Sequence, residues 1–197
     1  AKIFSFEPFA INYSLLVKNI EDNQLSDVTP YNLALGNRSG RAIMSINQEK
    51  NLGTATIIQI GDIENPALPI NLVDLDSLNL PKPDFIKIDV EGYEENVLLG
   101  MEETLINSSP LIWIEIAKIN SDSVFQYLSN LGYSILDVEL AVGNNFFFTK
   151  DINNKNDYKK LLHQTLNICE KYRSLYQSSS GLQSKLEFEQ NKTLGLK

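Results

Sequence analysis

Asp84-Phe85-Ile86-Lys87-Ile88-Asp89-Val90-Glu91-Gly92-Tyr93-Glu94 is the stretch whose reading decides the fold. Phe85–Val90 is short, apolar and β-branched, with Pro81-Lys82-Pro83 before it and Glu91-Gly92 after it, which predicts a strand running into a tight turn. Val97, Leu98 and Met101 then recur at helical spacing, which predicts a helix from Glu94 to Gly100. Glu94 and Glu95 fall in its first turn, where the helix dipole favours negative charge. Strands alternating with helices in this way build a parallel α/β sheet.

The same pattern extends in both directions. Toward the N-terminus, Lys2–Phe6 predicts a strand that stops at Glu7-Pro8, because proline cannot donate to a ladder. Ile11, Leu15, Leu16 and Ile20 predict an amphipathic helix closed by Asp22-Asn23. Val28–Leu35 reads as one strand ended by the turn Gly36-Asn37-Arg38-Ser39-Gly40, and Arg41–Ile46 as the strand returning from it. Thr54–Ile60 and Ile70–Val73 are further β-rich runs. Toward the C-terminus, Leu111–Ile116 predicts a strand and Ser123–Leu131 a helix closed by Gly132. Tyr133–Val138 and Asn145–Thr149 predict an antiparallel pair at the sheet edge. The polar run 151–156 marks a boundary between a body, 1–150, and a tail, 151–197. Apolar residues from Tyr158 to Tyr176 recur there at helical spacing, so the tail reads as a helical appendage or linker. Its expected use is self-association or the joining of another domain.

Composition narrows the possible functions. The chain has 197 residues, 17 Lys and Arg against 25 Asp and Glu, and a net charge of −8. The tail holds 8 of the basic and 5 of the acidic side chains, which leaves an acidic body poorly suited to nucleic-acid phosphates. One cysteine, Cys169, excludes an internal disulfide framework and fits a reducing compartment, so a cytoplasmic location is expected. With a single histidine, His163, no zinc-type cluster is expected. No apolar run is long enough to predict a membrane span.

In open α/β sheets ligands bind beyond the carboxyl ends of the strands, so the residues placed there matter most. Glu7 ends the first strand, where a carboxylate can accept two hydrogen bonds from a ribose diol or simply cap the helix that follows. Asp89 and Glu91 flank the end of the Phe85–Val90 strand. Lys87 and Asp89 fall on one side of it, and charges in an apolar strand are costly unless paired or functional. Either Lys87 neutralises Asp89 or Glu115, or a carboxylate here serves as a general base. Glu115 ends the next strand, and a partner for it in Lys87 or Lys118 is the structural alternative. Trp113, Cys169 and His163 read as packing or surface residues.

Phe6-Glu7-Pro8, Leu15 through Asn19-Ile20, Asn23, Ala34-Leu35-Gly36 and Ser39-Gly40 carry a resemblance. So do Leu75-Asp76-Ser77-Leu78, the Asp84–Glu94 stretch, Val97-Leu98 with Gly100, Pro110 through Glu115, and Leu131-Gly132-Tyr133. In order and spacing, over residues 3–149, the chain resembles the FkbM family of methyltransferases. The resemblance implies a class I methyltransferase, Rossmann-like fold: a mostly parallel sheet with an antiparallel edge strand, followed by the helical tail. It implies S-adenosylmethionine as cofactor and a hydroxyl acceptor on a sugar, glycan or natural product. Glu7, with Pro8 beside it, would then meet the cofactor ribose, and Ala34 and Leu35 the adenine. Asp89 would sit near the transferring methyl and take the hydroxyl proton, while Glu91 and Glu115 face the acceptor. No metal is implied.

The family has a further strand and a glycine-rich loop ahead of the Phe-Glu-Pro strand, and here six residues precede Glu7. The expectation is therefore a fragment, or a fold whose missing portion comes from elsewhere. The missing strand would lie between the Lys2–Phe6 and Phe85–Val90 strands. The competing expectation is a non-catalytic module that keeps the fold for binding.

Overall fold

The structure is a computed structural model that describes residues 1–45, 56–58, 67–136 and 144–151. The chain divides into two compact units, Ala1–Lys150 and Asp151–Lys197. The helix expected over Tyr158–Tyr176 lies outside the described residues.

Strand β1 (Ile3–Phe6) leads through Glu7-Pro8 into helix α1 (Ala10–Asp22), which returns the chain to β2 (Val28–Tyr31). β1 and β2 run parallel, in register from Ile3↔Val28 to Phe6↔Tyr31. The rings of Phe6 and Tyr31 stack at 5.1 Å across that ladder. β2 contains Pro30, which an edge strand tolerates because only one of its sides is paired. α1 buries none of its side chains, and Ile11 and Leu15 are each more than half exposed.

Val28–Leu35, expected as one strand, is two. Asn32 interrupts it, because its Nδ2 donates to the carbonyls of Glu7 at 2.8 Å and Pro8 at 3.1 Å. The chain leaves β1 at that point, and β3 (Ala34–Leu35) pairs in parallel with β6 (Ala67–Val73) instead. β4 (Gly40–Ser45) and β5 (Thr56–Ile58) complete an antiparallel excursion in the order β3-β6-β4-β5. Phe9, Ala34, Met44, Ile70 and Leu72 form its small core.

A second four-stranded sheet has the order β7-β8-β10-β9. β7 (Phe85–Ile88) and β8 (Leu111–Glu115) are parallel, β10 (Asn145–Thr149) is antiparallel to β8, and β9 (Ser134–Ile135) pairs with β10. Helices α2 (Glu94–Leu99), α3 (Glu102–Ser108) and α4 (Ser121–Asn130) supply Val97, Leu98, Leu105, Val124 and Leu128 to the larger core. These side chains meet Ile88, Ile112, Ile114 and Phe148 of the sheet. Fully burying one such side chain contributes roughly 1.5–3 kcal/mol.

Sequence periodicity does not separate α2 from α3. Asp76 marks the break: its carboxylate accepts the Glu103 amide at 2.9 Å, the Thr104 amide at 3.0 Å and the Thr104 hydroxyl at 2.6 Å, capping α3 from a distant turn. That turn, Leu75–Leu78, is itself capped by Asp74, which accepts from the Ser77 amide at 2.9 Å. A hydrogen bond from the Ser39 hydroxyl, ahead of the turn's own bonds, holds the Asp74 carboxyl below the usual carboxylate range.

The fold is thus mixed α/β. The expected parallel pairing occurs at β1–β2, β3–β6 and β7–β8, while the excursion and the β8-β10-β9 end are antiparallel. Among the described residues β1 pairs with β2 alone and β7 with β8 alone. The two edges between which the further strand was expected are therefore unpaired in the described sheets, and Ile3 and Phe85 on them are about half exposed.

Candidate active site

The carboxyl ends of β7 and β8 lie side by side because the strands are parallel and in register, with Lys87 opposite Trp113. Asp89 and Glu91 follow β7, and Glu115 closes β8. The structure therefore brings together the three carboxylates expected at the chemistry. Lys87 Nζ lies 3.4 Å from Asp89 Oδ2 and 4.7 Å from the centre of the Trp113 ring. Asp89 is thus the carboxylate the lysine neutralises. Glu115 pairs with neither Lys87 nor Lys118; its Oε2 accepts from Asn145 Nδ2 at 3.2 Å. Asn145 Oδ1 in turn accepts from Trp113 Nε1 at 2.8 Å and Lys87 Nζ at 3.3 Å, so one amide links the ends of β7, β8 and β10.

Glu91 stands in the left-handed region at φ 48°, and Gly92 follows at φ 95°. Two consecutive positive φ values turn the chain sharply, and the second is open chiefly to glycine. Burial, then the nearby carboxylates of Asp89, Glu115 and Glu94, push the Glu91 carboxyl above its ordinary value. Desolvation and like charge both disfavour its ionised form.

Glu94 and Asn120 build this corner, and their importance is not visible in the sequence pattern. Glu94 is 1% exposed. Its Oε1 accepts the Gly92 amide at 2.8 Å and the Ala117 amide at 3.3 Å, and its Oε2 accepts Asn120 Nδ2 at 2.6 Å. Helix-dipole reasoning puts Glu94 at the start of α2 but cannot reveal that it turns back to the strand ends.

Glu7 lies beyond β1. Its Oε1 accepts the Phe9 amide at 2.8 Å, so it does cap the entry to α1. Its Oε2 accepts no hydrogen bond among the described residues. Pro8 begins a cavity of about 320 Å³ lined further by Phe9, Ala10, Asn32, Leu68, Pro69, Ile70 and Asn71. Ala34 is buried in the small core, and Leu35 packs against the larger one. Neither lines this cavity. Tyr93 touches both cores, and its ring edge packs against Gly36, tying the Ala34-Leu35-Gly36 corner to the Asp89–Gly92 corner. A second cavity, about 400 Å³, is lined by Asn37, Asp74, Asp76, Ser77, Leu99, Gly100 and Glu103, at the far end of α2 from the carboxylates. Among the described residues no group of three or more His, Cys, Asp or Glu is set to hold a metal ion, and no helix is long and apolar enough to cross a membrane.

Acidic side chains of this mixed α/β fold stand beyond the carboxyl ends of two parallel strands, the place where open α/β sheets take their ligands. The methyltransferase FkbM domain matches residues 1–135, and the chain belongs to that family. It is 30% identical over 134 residues to the hexuronic acid methyltransferase AglP of Haloferax volcanii, covering 66% of this chain and 53% of that protein. The chain therefore spans about half the length of this curated relative. The crystal structure of methyltransferase FkbM from Methylobacillus flagellatus KT shares the fold at a TM-score of 0.53 and 16% identity, over 75% of this chain and 36% of that one.

Proposed function

We propose that this chain is the cofactor- and acceptor-binding part of an S-adenosylmethionine-dependent methyltransferase of Rossmann-like, class I fold. In this reading the acceptor is a hydroxyl of a sugar, with a hexuronic acid unit of a glycan as the favoured class. The observation that carries it is the grouping of Asp89, Glu91 and Glu115 beyond β7 and β8 in a chain of this family. The relative named for hexuronic acid methylation supports the acceptor class.

The residues fit the nucleoside part of the cofactor. Glu7 keeps one carboxylate oxygen open for a ribose diol, and the neighbouring cavity offers apolar walls with Asn32 as a polar edge. Glu7, Pro8 and the cavity would hold that part. Bound there, the cofactor supplies an electrophilic methyl group on a sulfonium. The chain's own part is to orient the acceptor and take its proton. We assign the proton to Glu91 rather than Asp89, because Lys87 engages Asp89 whereas burial and the carboxylates of Asp89, Glu115 and Glu94 raise the proton affinity of Glu91. Asp89 and Glu115 would orient the acceptor, converting the encounter into a near-unimolecular step.

A second reading is a binding module without catalysis. It is favoured by β1–β2 standing as a separate sheet, so that no ladder among the described residues joins Glu7 to the carboxylates. Calorimetry with S-adenosylmethionine and transfer of labelled methyl to p-nitrophenyl glucuronide separate the two. Micromolar binding with labelled, ether-linked product is the expected result. The absence of both binding and transfer refutes the methyltransferase reading and leaves the module.

A further inference from the structure

Glu94 is a buried carboxylate with no cation beside it among the described residues. Burying a charge is costly unless hydrogen bonds replace its water. Its three donors do so, and all three belong to the site's frame. The Gly92 amide follows β7, the Ala117 amide follows β8, and Asn120 opens α4. The same Asn120 Nδ2 also donates to the Gly92 carbonyl at 2.9 Å. Both backbone polar groups of Gly92 are therefore gripped, its N–H by Glu94 and its C=O by Asn120. This is the residue after Glu91, which itself holds a left-handed conformation that a non-glycine residue occupies at a cost. The same carboxylate oxygen that takes the Gly92 amide takes the Ala117 amide, so a single atom ties the two strand ends together.

We propose that Glu94 and Asn120 are positioning residues: they clamp Gly92 to the end of β8 and thereby present Glu91 beside Asp89 and Glu115 for proton transfer. The proposal rests on the methyltransferase reading for its catalytic meaning and on hydrogen bonds alone for the clamp. Neither residue needs to touch the acceptor. Glu94 spends its carboxylate on the frame, and Asn120 both its amide protons. The clamp works in a low-dielectric setting, where charge-assisted bonds are strong and hold geometry tightly.

The test uses Glu94→Gln and Asn120→Ala in the protein, read in two independent ways. Amide hydrogen exchange by NMR needs no substrate. Glu94→Gln keeps an oxygen for the two amides but loses the charge and sets an NH2 against that of Asn120, and Asn120→Ala releases the Gly92 carbonyl. The loosened clamp should speed exchange at Gly92 by about tenfold in either variant, and at Ala117 in Glu94→Gln. Methyl transfer to p-nitrophenyl glucuronide should fall in kcat by about 100-fold, as expected for a catalytic group misplaced by about 1 Å. The dissociation constant for S-adenosylmethionine should stay near its wild-type value, because Glu7 and its cavity lie on other elements. A fall in thermal midpoint with kcat unchanged would reduce the pair to a structural role and overturn the proposal. So would unchanged exchange at Gly92. Wild-type protein that neither binds the cofactor nor transfers methyl instead refutes the methyltransferase reading, and the exchange measurement still decides the clamp. Should Glu94→Gln fail to fold, Asn120→Ala, which leaves the buried carboxylate in place, carries both readings.

Discussion

Replacing Gly100 with alanine tests how firmly the two cores are joined. Gly100 follows α2, and a Cβ built on it would lie 1.8 Å from the carbonyl oxygen of Gly36, 2.7 Å from its carbonyl carbon and 3.3 Å from the Cα of Asn37. All three are backbone atoms, so no side chain can rotate away. Relief to a tolerable 3.0 Å requires β3 and the end of α2 to separate by at least about 1.2 Å. That movement strains the Gly36 amide bond to Val73 O and the Asp76 amide bond to Gly100 O, which are 3.0 and 3.2 Å long. Overpacking of this kind costs about 1–3 kcal/mol, and one weakened hydrogen bond adds about 1 kcal/mol. Gly100→Ala should therefore destabilise the protein by about 3 kcal/mol. Gly132→Ala is the control: nothing lies within 4 Å of its Cβ, but φ is +85°, so only backbone strain of roughly 1–2 kcal/mol applies. Urea unfolding followed by circular dichroism measures both through the midpoint at constant slope. A loss for Gly100→Ala smaller than that for Gly132→Ala would refute the close packing of α2 against the Gly36 corner.

Four further outcomes are expected. Asp76→Ala removes three acceptor bonds from the start of α3 and should cost about 2 kcal/mol, read from the same unfolding curves. Glu7→Gln keeps an oxygen for the Phe9 amide but loses the charge, so thermal stability should hold while S-adenosylmethionine binding weakens by about tenfold or more in calorimetry. Glu91→Gln should lower methyl transfer by about 10²–10⁴-fold with cofactor binding intact. Glu91 also leaves a stability signature. Its folded pKa is raised, so the folded state binds more protons than the unfolded state in the window just above the ordinary glutamate value. Its contribution is present below that window and is lost as pH rises through the folded pKa. The thermal midpoint of wild type should therefore drop across the window relative to Glu91→Gln, and parallel curves would count against the crowding of carboxylates around Glu91.

The order of strands and helices around Phe85–Glu94 was legible because each element has its own period and its own stop. Pro8, the Gly36–Gly40 turn and Gly132 mark boundaries whatever the rest of the chain does. The split of Val28–Leu35 was not legible, since Asn32 breaks the run by reaching back to Glu7 and Pro8, 25 and 24 residues away in sequence. Nor was the start of α3, because its cap, Asp76, stands 27 residues before the amide it holds. At the site, Asp89, Glu91 and Glu115 were recognisable as carboxylates ending strands. Glu94, Asn120 and Asn145 were not, because their significance lies in which backbone and side-chain groups they meet.

By itself the sequence determined the local grammar of this protein: where strands end, where helices begin, and that carboxylates stand at those ends. These follow from proline, glycine and apolar spacing, which act within a few residues. Tertiary structure alone decided which carboxylate is paired, which is crowded and which is buried as a brace. Lys87 chooses Asp89 over Glu115, and Glu94 leaves its helix face for Gly92 and Ala117. Such choices depend on distances between atoms far apart in the chain, and a change of a few ångströms alters both the partner and the energy of a charged group.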